Sequence, residues 1–252
     1  GKPLHAVLRC GWKDEKPEVF VGDKTAAGAA SDRLDTPRGV AVDAAGNVYV
    51  ADSGNDRIAV FRPDGSFLGA LAVTKPERVE VHPATGAVYV IGGERVDLLQ
   101  KFAAWDRPQP IAELKLPSFK HPRYTVVAAL DATADPPVLW LGSPQGSYAK
   151  FDLLRIEDLG DRFGTLNDVG RKNNEARPTA GPVLGMDYDR AGRRLLVNSF
   201  AFGADDESWG KGLREASGKS ISNMGVGSFG LDGNFYTQIY PRIVRRFDGD
   251  LK

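Results

Sequence analysis

Leu34-Asp35-Thr36-Pro37-Arg38-Gly39-Val40-Ala41-Val42-Asp43-Ala44-Ala45-Gly46-Asn47-Val48-Tyr49-Val50-Ala51-Asp52-Ser53-Gly54-Asn55-Asp56-Arg57-Ile58-Ala59-Val60-Phe61 decides the fold of this 252-residue chain. Val40 and Val42 alternate with Gly39 and Ala41, which predicts a short strand with only small groups on one side. Asp43 to Asn47 reads as a tight turn. There the Asp43 carboxylate can accept from backbone two residues on, and Gly46 can take a positive φ without a Cβ clash. Val48 to Asp52 returns as a second strand, and Ser53 to Asp56 breaks it. Arg57 to Phe61 makes a third, and after the Pro63-Asp64-Gly65 turn Ser66 to Leu71 makes a fourth. The apolar content is nearly continuous, as expected when both faces of a sheet are covered.

Weaker copies follow. Arg78-Val79-Glu80-Val81 through Ala87-Val88-Tyr89-Val90 repeats the first two strands, with Tyr89 placed 40 residues after Tyr49. A third unit runs from Ala128 to Asp131 and on through Pro136-Pro137 to Leu141. A fourth runs from Leu184 to Asp189 and then Leu195 to Val197. The fifth is Gly227 to Tyr236, with Arg245 to Gly249 echoing Phe61 to Gly65. Four short strands repeating at this period predict an all-β fold, a β-propeller of four-stranded antiparallel blades. Glu18 to Gly22 falls where the outermost strand of an earlier blade belongs, and the fifth unit stops near its third strand. Five or six blades are expected, six being favoured for the intact protein, with an N-terminal strand completing the C-terminal blade and so closing an exposed edge. Residues 1–252 read as a single propeller domain, a fragment or processed part of a longer protein.

Composition narrows function. With 33 basic and 33 acidic residues the formal net charge is zero, so no global field draws the chain to nucleic acid or anionic membrane. No apolar run approaches the roughly 20 residues of a spanning helix. Cys10 is the single cysteine, which excludes an internal disulfide and a cysteine-based metal cluster.

The segment from Glu18 to Phe61 resembles an NHL repeat. The resemblance rests on the small-residue lead-in Gly22 to Ala30, on Leu34-x-x-Pro37-x-Gly39-Val40-Ala41-Val42-Asp43, and on Tyr49-Val50-Ala51-Asp52-Ser53-Gly54-Asn55-x-Arg57-Ile58. Asp56 stands where the family's phrase has His. The resemblance implies a propeller and no single activity, because propellers of this kind bind proteins, RNA or small molecules, and related ones are lyases and hydrolases.

The chemistry-bearing residues divide between repeat and insertion. His5, His82 and His121 come from different units, and His82 replaces the turn aspartate of the repeat, so each has a local structural reading. Asp52, Asn55 and Arg57 also read as structural, bonding local backbone and pairing across the turn. The candidate binding residues lie where the repeat breaks down. Trp140 and Leu196 are 56 positions apart, and the excess includes Arg171 and Lys172 in a polar run. Phe202, Asp205, Asp206, Glu207, Trp209, Lys211 and Arg214 form a second candidate segment. Its acids offer hard oxygen ligands suited to calcium, and its aromatics a surface for a sugar or peptide.

The expected function is a non-enzymatic binding or scaffold propeller that recognises a protein or carbohydrate through its loop face. It is expected in an extracytoplasmic setting, periplasmic or secreted, of bacterial type. The alternatives are a metal-dependent propeller lyase or hydrolase and an RNA-binding propeller, the last disfavoured by the neutral charge.

Overall fold

The computed structural model describes residues 4–11, 16–119, 126–142, 153–169, 183–198, 200–212, 224–229, 234–239 and 243–248. The chain divides into two compact units, Gly1–Lys120 with Gly160–Arg162, and His121–Leu159 with Phe163–Lys252. In the first, β1 (His5–Arg9) and β2 (Glu18–Asp23) form a two-stranded sheet. Then β3 (Pro37–Val42), β4 (Val48–Asp52), β5 (Arg57–Phe61) and β6 (Phe67–Ala72) form a four-stranded meander, as do β7 (Arg78–Val81), β8 (Val88–Gly92), β9 (Leu98–Phe102) and β10 (Pro110–Lys115). The second unit holds two further four-stranded meanders: β11 (Val127–Asp131), β12 (Val138–Gly142), β13 (Leu153–Glu157) and β14 (Asn167–Asp168), then β15 (Met186–Asp189), β16 (Arg194–Val197), β17 (Phe200–Gly203) and β18 (Trp209–Gly212). A three-stranded sheet follows, made of β19 (Met224–Phe229), β20 (Phe235–Ile239) and β21 (Ile243–Phe247).

One device makes the first turn of each four-stranded sheet. The Asp43 carboxylate accepts from the amides of Ala45 and Asn47, both at 2.9 Å, and Gly46 takes φ +84°. In the second sheet His82 does the same through Nδ1, which accepts from Ala84 at 3.2 Å and Thr85 at 3.3 Å. Asp131 serves Thr133 and Ala134, and Asp189 serves Ala191 and Gly192. An acceptor at the end of the first strand is therefore what the turn needs, and a neutral imidazole supplies it as well as a carboxylate. These acceptors fix where each hairpin reverses and hence the register of the strands that follow.

Apolar faces stack sheet upon sheet. Tyr49, Ala51, Ile58, Val60 and Leu71 meet Val79, Val81, Val88, Val90 and Phe102 of the next sheet. Gly39 sets the closest approach there, since a Cβ at that position would stand 2.9 Å from the Glu77 carbonyl oxygen and 3.1 Å from Arg78 Cα. On the opposite face, Val50, Ala59 and Phe61 are buried with Val21 and Leu34, against Val7 and Phe20.

In the second unit Trp140, Leu153 and Val169 pack on Met186, Tyr188, Leu195 and Phe202. Phe202 lies edge-on to Trp140 at 5.9 Å and to Trp209 at 5.0 Å between ring centroids. Both indole N–H groups are buried without an acceptor, and leaving a buried donor unpaired costs about 1–3 kcal/mol. Trp140→Phe removes that donor, so its loss of packing is largely offset. Chemical denaturation should place it within about 1.5 kcal/mol of the parent, whereas Trp140→Ala should lose about 3–5 kcal/mol.

Candidate functional site

The segment from Phe200 to Gly212 forms the hairpin β17–β18, where the sequence reading had the repeat break down. Phe200 and Phe202 alternate with Ala201 and Gly203 along β17, and Phe202 pairs across to Trp209 on β18. Phe202 is fully buried, so its ring serves the core rather than a ligand. Asp205, Asp206 and Glu207 occupy the connecting turn. The Arg193 guanidinium donates to both Asp205 oxygens, at 2.7 and 2.9 Å, and holds that carboxyl below its usual range. Asp206 accepts from the Ser208 hydroxyl at 2.7 Å and its amide at 3.2 Å, and these bonds lower its pKa in turn. Glu207 takes a left-handed φ of 51°. The three acids are thus a turn with two separate local partners, and among the described residues no group of three or more His, Cys, Asp or Glu could hold a metal ion. Lys211 lies on β18. Arg171, Lys172, Arg214 and His121 lie outside the described residues.

The loop from Asp52 to Arg57 is a closed structural network. Asp52 is wholly buried and accepts from the Asp35 amide at 2.6 Å, Asn55 Nδ2 at 2.8 Å and Arg57 Nε at 2.7 Å. Arg57 also donates to the carbonyls of Ala29, Ala30 and Arg33, and Asn55 to that of Gly28. The small-residue lead-in therefore exists to bring its carbonyl oxygens against this loop. Asp56 takes a left-handed φ of 53° and accepts from the Lys75 amide at 2.8 Å and its Nζ at 3.1 Å. His5 joins the same edge of the unit. Its Nδ1 accepts from the Thr36 amide at 3.2 Å and lies 3.3 Å from Asp35 Oδ1.

What this scaffold holds out to solvent is the β3 face that the sequence reading took as covered. Val40 is 56% and Val42 59% exposed, and Arg38, within the register shift that separates Pro37 from Val40, is exposed too. Val40 pairs with Val50 and Val42 with Val48, so the two valines continue the same face that buries Val50 and Phe61 beneath β1 and β2. The cover ends before β3. Beside them Arg38 Nε lies 4.0 Å from Glu77 Oε1, and Arg78 donates to the Arg38 carbonyl at 3.4 Å. Burial pulls the Arg78 guanidinium below its usual pKa, against the opposing pull of Glu80 and Glu77. The result is an apolar strip with cationic groups at one end, on a strand anchored at its start by the Asp52 network. Sequence could not show it, because the alternation of β3 is the same whether or not a neighbouring sheet reaches over it.

The family model for the NHL repeat matches residues 34–61. No curated protein matches the chain. Among solved structures, a gluconolactonase from Xanthomonas campestris is similar with a TM-score of 0.62 at 16% identity, over 96% of this chain and 78% of that one. A Bacteroides thetaiotaomicron protein of unknown function is similar with a TM-score of 0.60 at 15% identity, over 87% of this chain and 56% of that one. Hydrazine synthase from Kuenenia stuttgartiensis gives 0.54 at 12% identity, over 82% of this chain and 57% of that one. At these identities the likeness is one of fold, and it agrees with the four-stranded antiparallel sheets described above. The chain is an all-β protein of the propeller class, and its residues 34–61 match the model of the NHL repeat.

Proposed function

We propose that this propeller is a non-enzymatic binding module that recognises a protein. The observation that carries the reading is the exposed strip of Arg38, Val40 and Val42 on β3. Apolar side chains on a strand of a rigid sheet, with a charged group at the end, offer both burial and orientation to a partner. A second reading, a metal-dependent hydrolase, draws on the likeness to the gluconolactonase.

Two measurements separate the readings. A displayed random-peptide library panned against the 252-residue chain should yield peptides that bind saturably, with no comparable signal on a glycan array. Binding confined to glycans would move the reading to carbohydrate. Hydrolysis of δ-gluconolactone should stay at the buffer rate in the presence of calcium, manganese or zinc, and metal-dependent turnover by the protein would overturn the non-enzymatic reading.

A further inference from the structure

The outer edge of the first four-stranded sheet is unguarded. That sheet lies wholly within Pro37–Ala72, with β6 at the edge opposite β3. β6 pairs with β5 alone, and among the described residues no other backbone group bonds to it. An edge left open in this way is a template for another strand, and proteins blunt such edges with charge, proline or shortness. The outer strands of the other four-stranded sheets are blunted so. β10 carries Pro110, Glu113 and Lys115, β14 has two residues, and β18 has four, Lys211 among them. Phe67-Leu68-Gly69-Ala70-Leu71-Ala72 has six residues, no charge and no proline. Its one bulge falls at its start, beside Phe61, and Gly69 to Ala72 keep regular register. Trp105 backs the Gly69 face, where a Cβ would meet its ring, and leaves Ala70 and Ala72 exposed.

We propose that β6 pairs antiparallel with β6 of a second copy of this chain, joining two four-stranded sheets into one of eight across a two-fold axis. In an antiparallel pair, opposed residues either both aim their N–H and C=O at each other or both aim them away. That character alternates along a strand, so two identical strands related by a two-fold axis meet at a residue that faces itself. Ala70 fits the place. It is exposed at the middle of the strand and its methyl leaves room for its own copy, whereas Gly69 has Trp105 against it and Leu71 is buried. Gly69 and Leu71 then oppose each other on either side of the axis, and no charge meets its like. The strand ends favour a second copy over an unrelated strand. Asp64 stands exposed in the turn before β6, and Lys75, with 38% of its side chain exposed, lies beyond its end. Antiparallel approach turns each Asp64 toward the Lys75 of the other copy, and parallel approach would set like charges together. The pairing uses the edge remote from β3 and is independent of the strip on that strand.

Sedimentation equilibrium of the 252-residue chain, up to a concentration of about 0.5 mM, should show a monomer and a dimer in exchange. Ala70→Lys sets two ammonium groups against each other on the axis and should weaken the dimer at least about tenfold. Its far-ultraviolet circular dichroism should match the parent's, because the residue is exposed. The second variant reads the position directly. In a Cys10→Ser background, Ala70→Cys should oxidise to a covalent dimer, since directly opposed Cβ atoms on neighbouring strands stand near disulfide distance. Ile111→Cys on β10, also exposed, should stay monomeric under the same oxidation. A chain that is monomeric throughout the concentration range overturns the proposal. So does a dimer indifferent to Ala70→Lys, or cross-linking no greater at Ala70→Cys than at Ile111→Cys, since either would place the contact on another surface.

Discussion

Asp52→Ala is expected to remove about 3–5 kcal/mol of stability, because it leaves a largely buried arginine without its counter-charge. Asp52 has no exposed side-chain surface and Arg57 only 15%, so water cannot replace the lost anion. The same substitution strips the acceptor from the Asp35 amide and from Asn55. Asp52→Asn keeps an oxygen for one of those donors while losing the charge, and should cost less, about 1.5–3 kcal/mol. Asp161→Ala gives the contrast. Its pair with Arg162 is exposed on both sides, and such pairs contribute at most about 1 kcal/mol. Urea unfolding followed by tryptophan fluorescence ranks the three. An Asp52→Ala loss no larger than that of Asp161→Ala would show that the buried network is not what holds the loop.

The consequence reaches the proposed binding strip through the backbone. Asp35 donates its amide to Asp52 and its carbonyl accepts from Gly54 at 2.8 Å, so the loop after β4 fixes the residues that lead into β3. Thr36, held at a left-handed φ of 51° between Asp35 and Pro37, turns the chain into the strand. Relaxing the network therefore displaces Arg38, Val40 and Val42 together, and peptide binding by Asp52→Asn should weaken even where the protein remains folded.

The blades were legible wherever the chain's own short-range chemistry forces the structure. Asp43, Gly46 and the alternation on either side specify the first hairpin without reference to anything distant; β4 and β5 span the expected residues, β6 lies one residue on, and β3 begins earlier, at Pro37. His82 in the aspartate's position was legible for the same reason, since the turn needs an acceptor and not a charge. The candidate site was not. Phe202, Asp205 and Trp209 look like ligand chemistry in one dimension, yet the two aromatics face the sheet interior and Asp205 turns to Arg193 across the hairpin. Conversely, Val40 and Val42 look like ordinary core residues. Their exposure depends on how far β1–β2 extends over them, and that is fixed by strands that end at Asp23, outside the repeat unit, with no local signal.

Gly22→Ala should cost about 2–4 kcal/mol, about twice what the same change costs at Gly86, and the difference measures how tightly β2 holds β1. Both glycines have positive φ, +90° and +74°, so both substitutions carry the roughly 1–2 kcal/mol of a left-handed alanine. Around Gly86 nothing lies within 4 Å, and the backbone strain is the whole effect. At Gly22 a Cβ would fall on the His5 carbonyl oxygen and within 2.9 Å of Ala6 Cα, and backbone atoms cannot rotate aside as a side chain can. Gly22 pairs directly with Ala6, so the strain must be relieved by parting β1 from β2 at the end where His5 meets Thr36. Equal losses of stability at the two positions would mean that β1 and β2 separate at little cost.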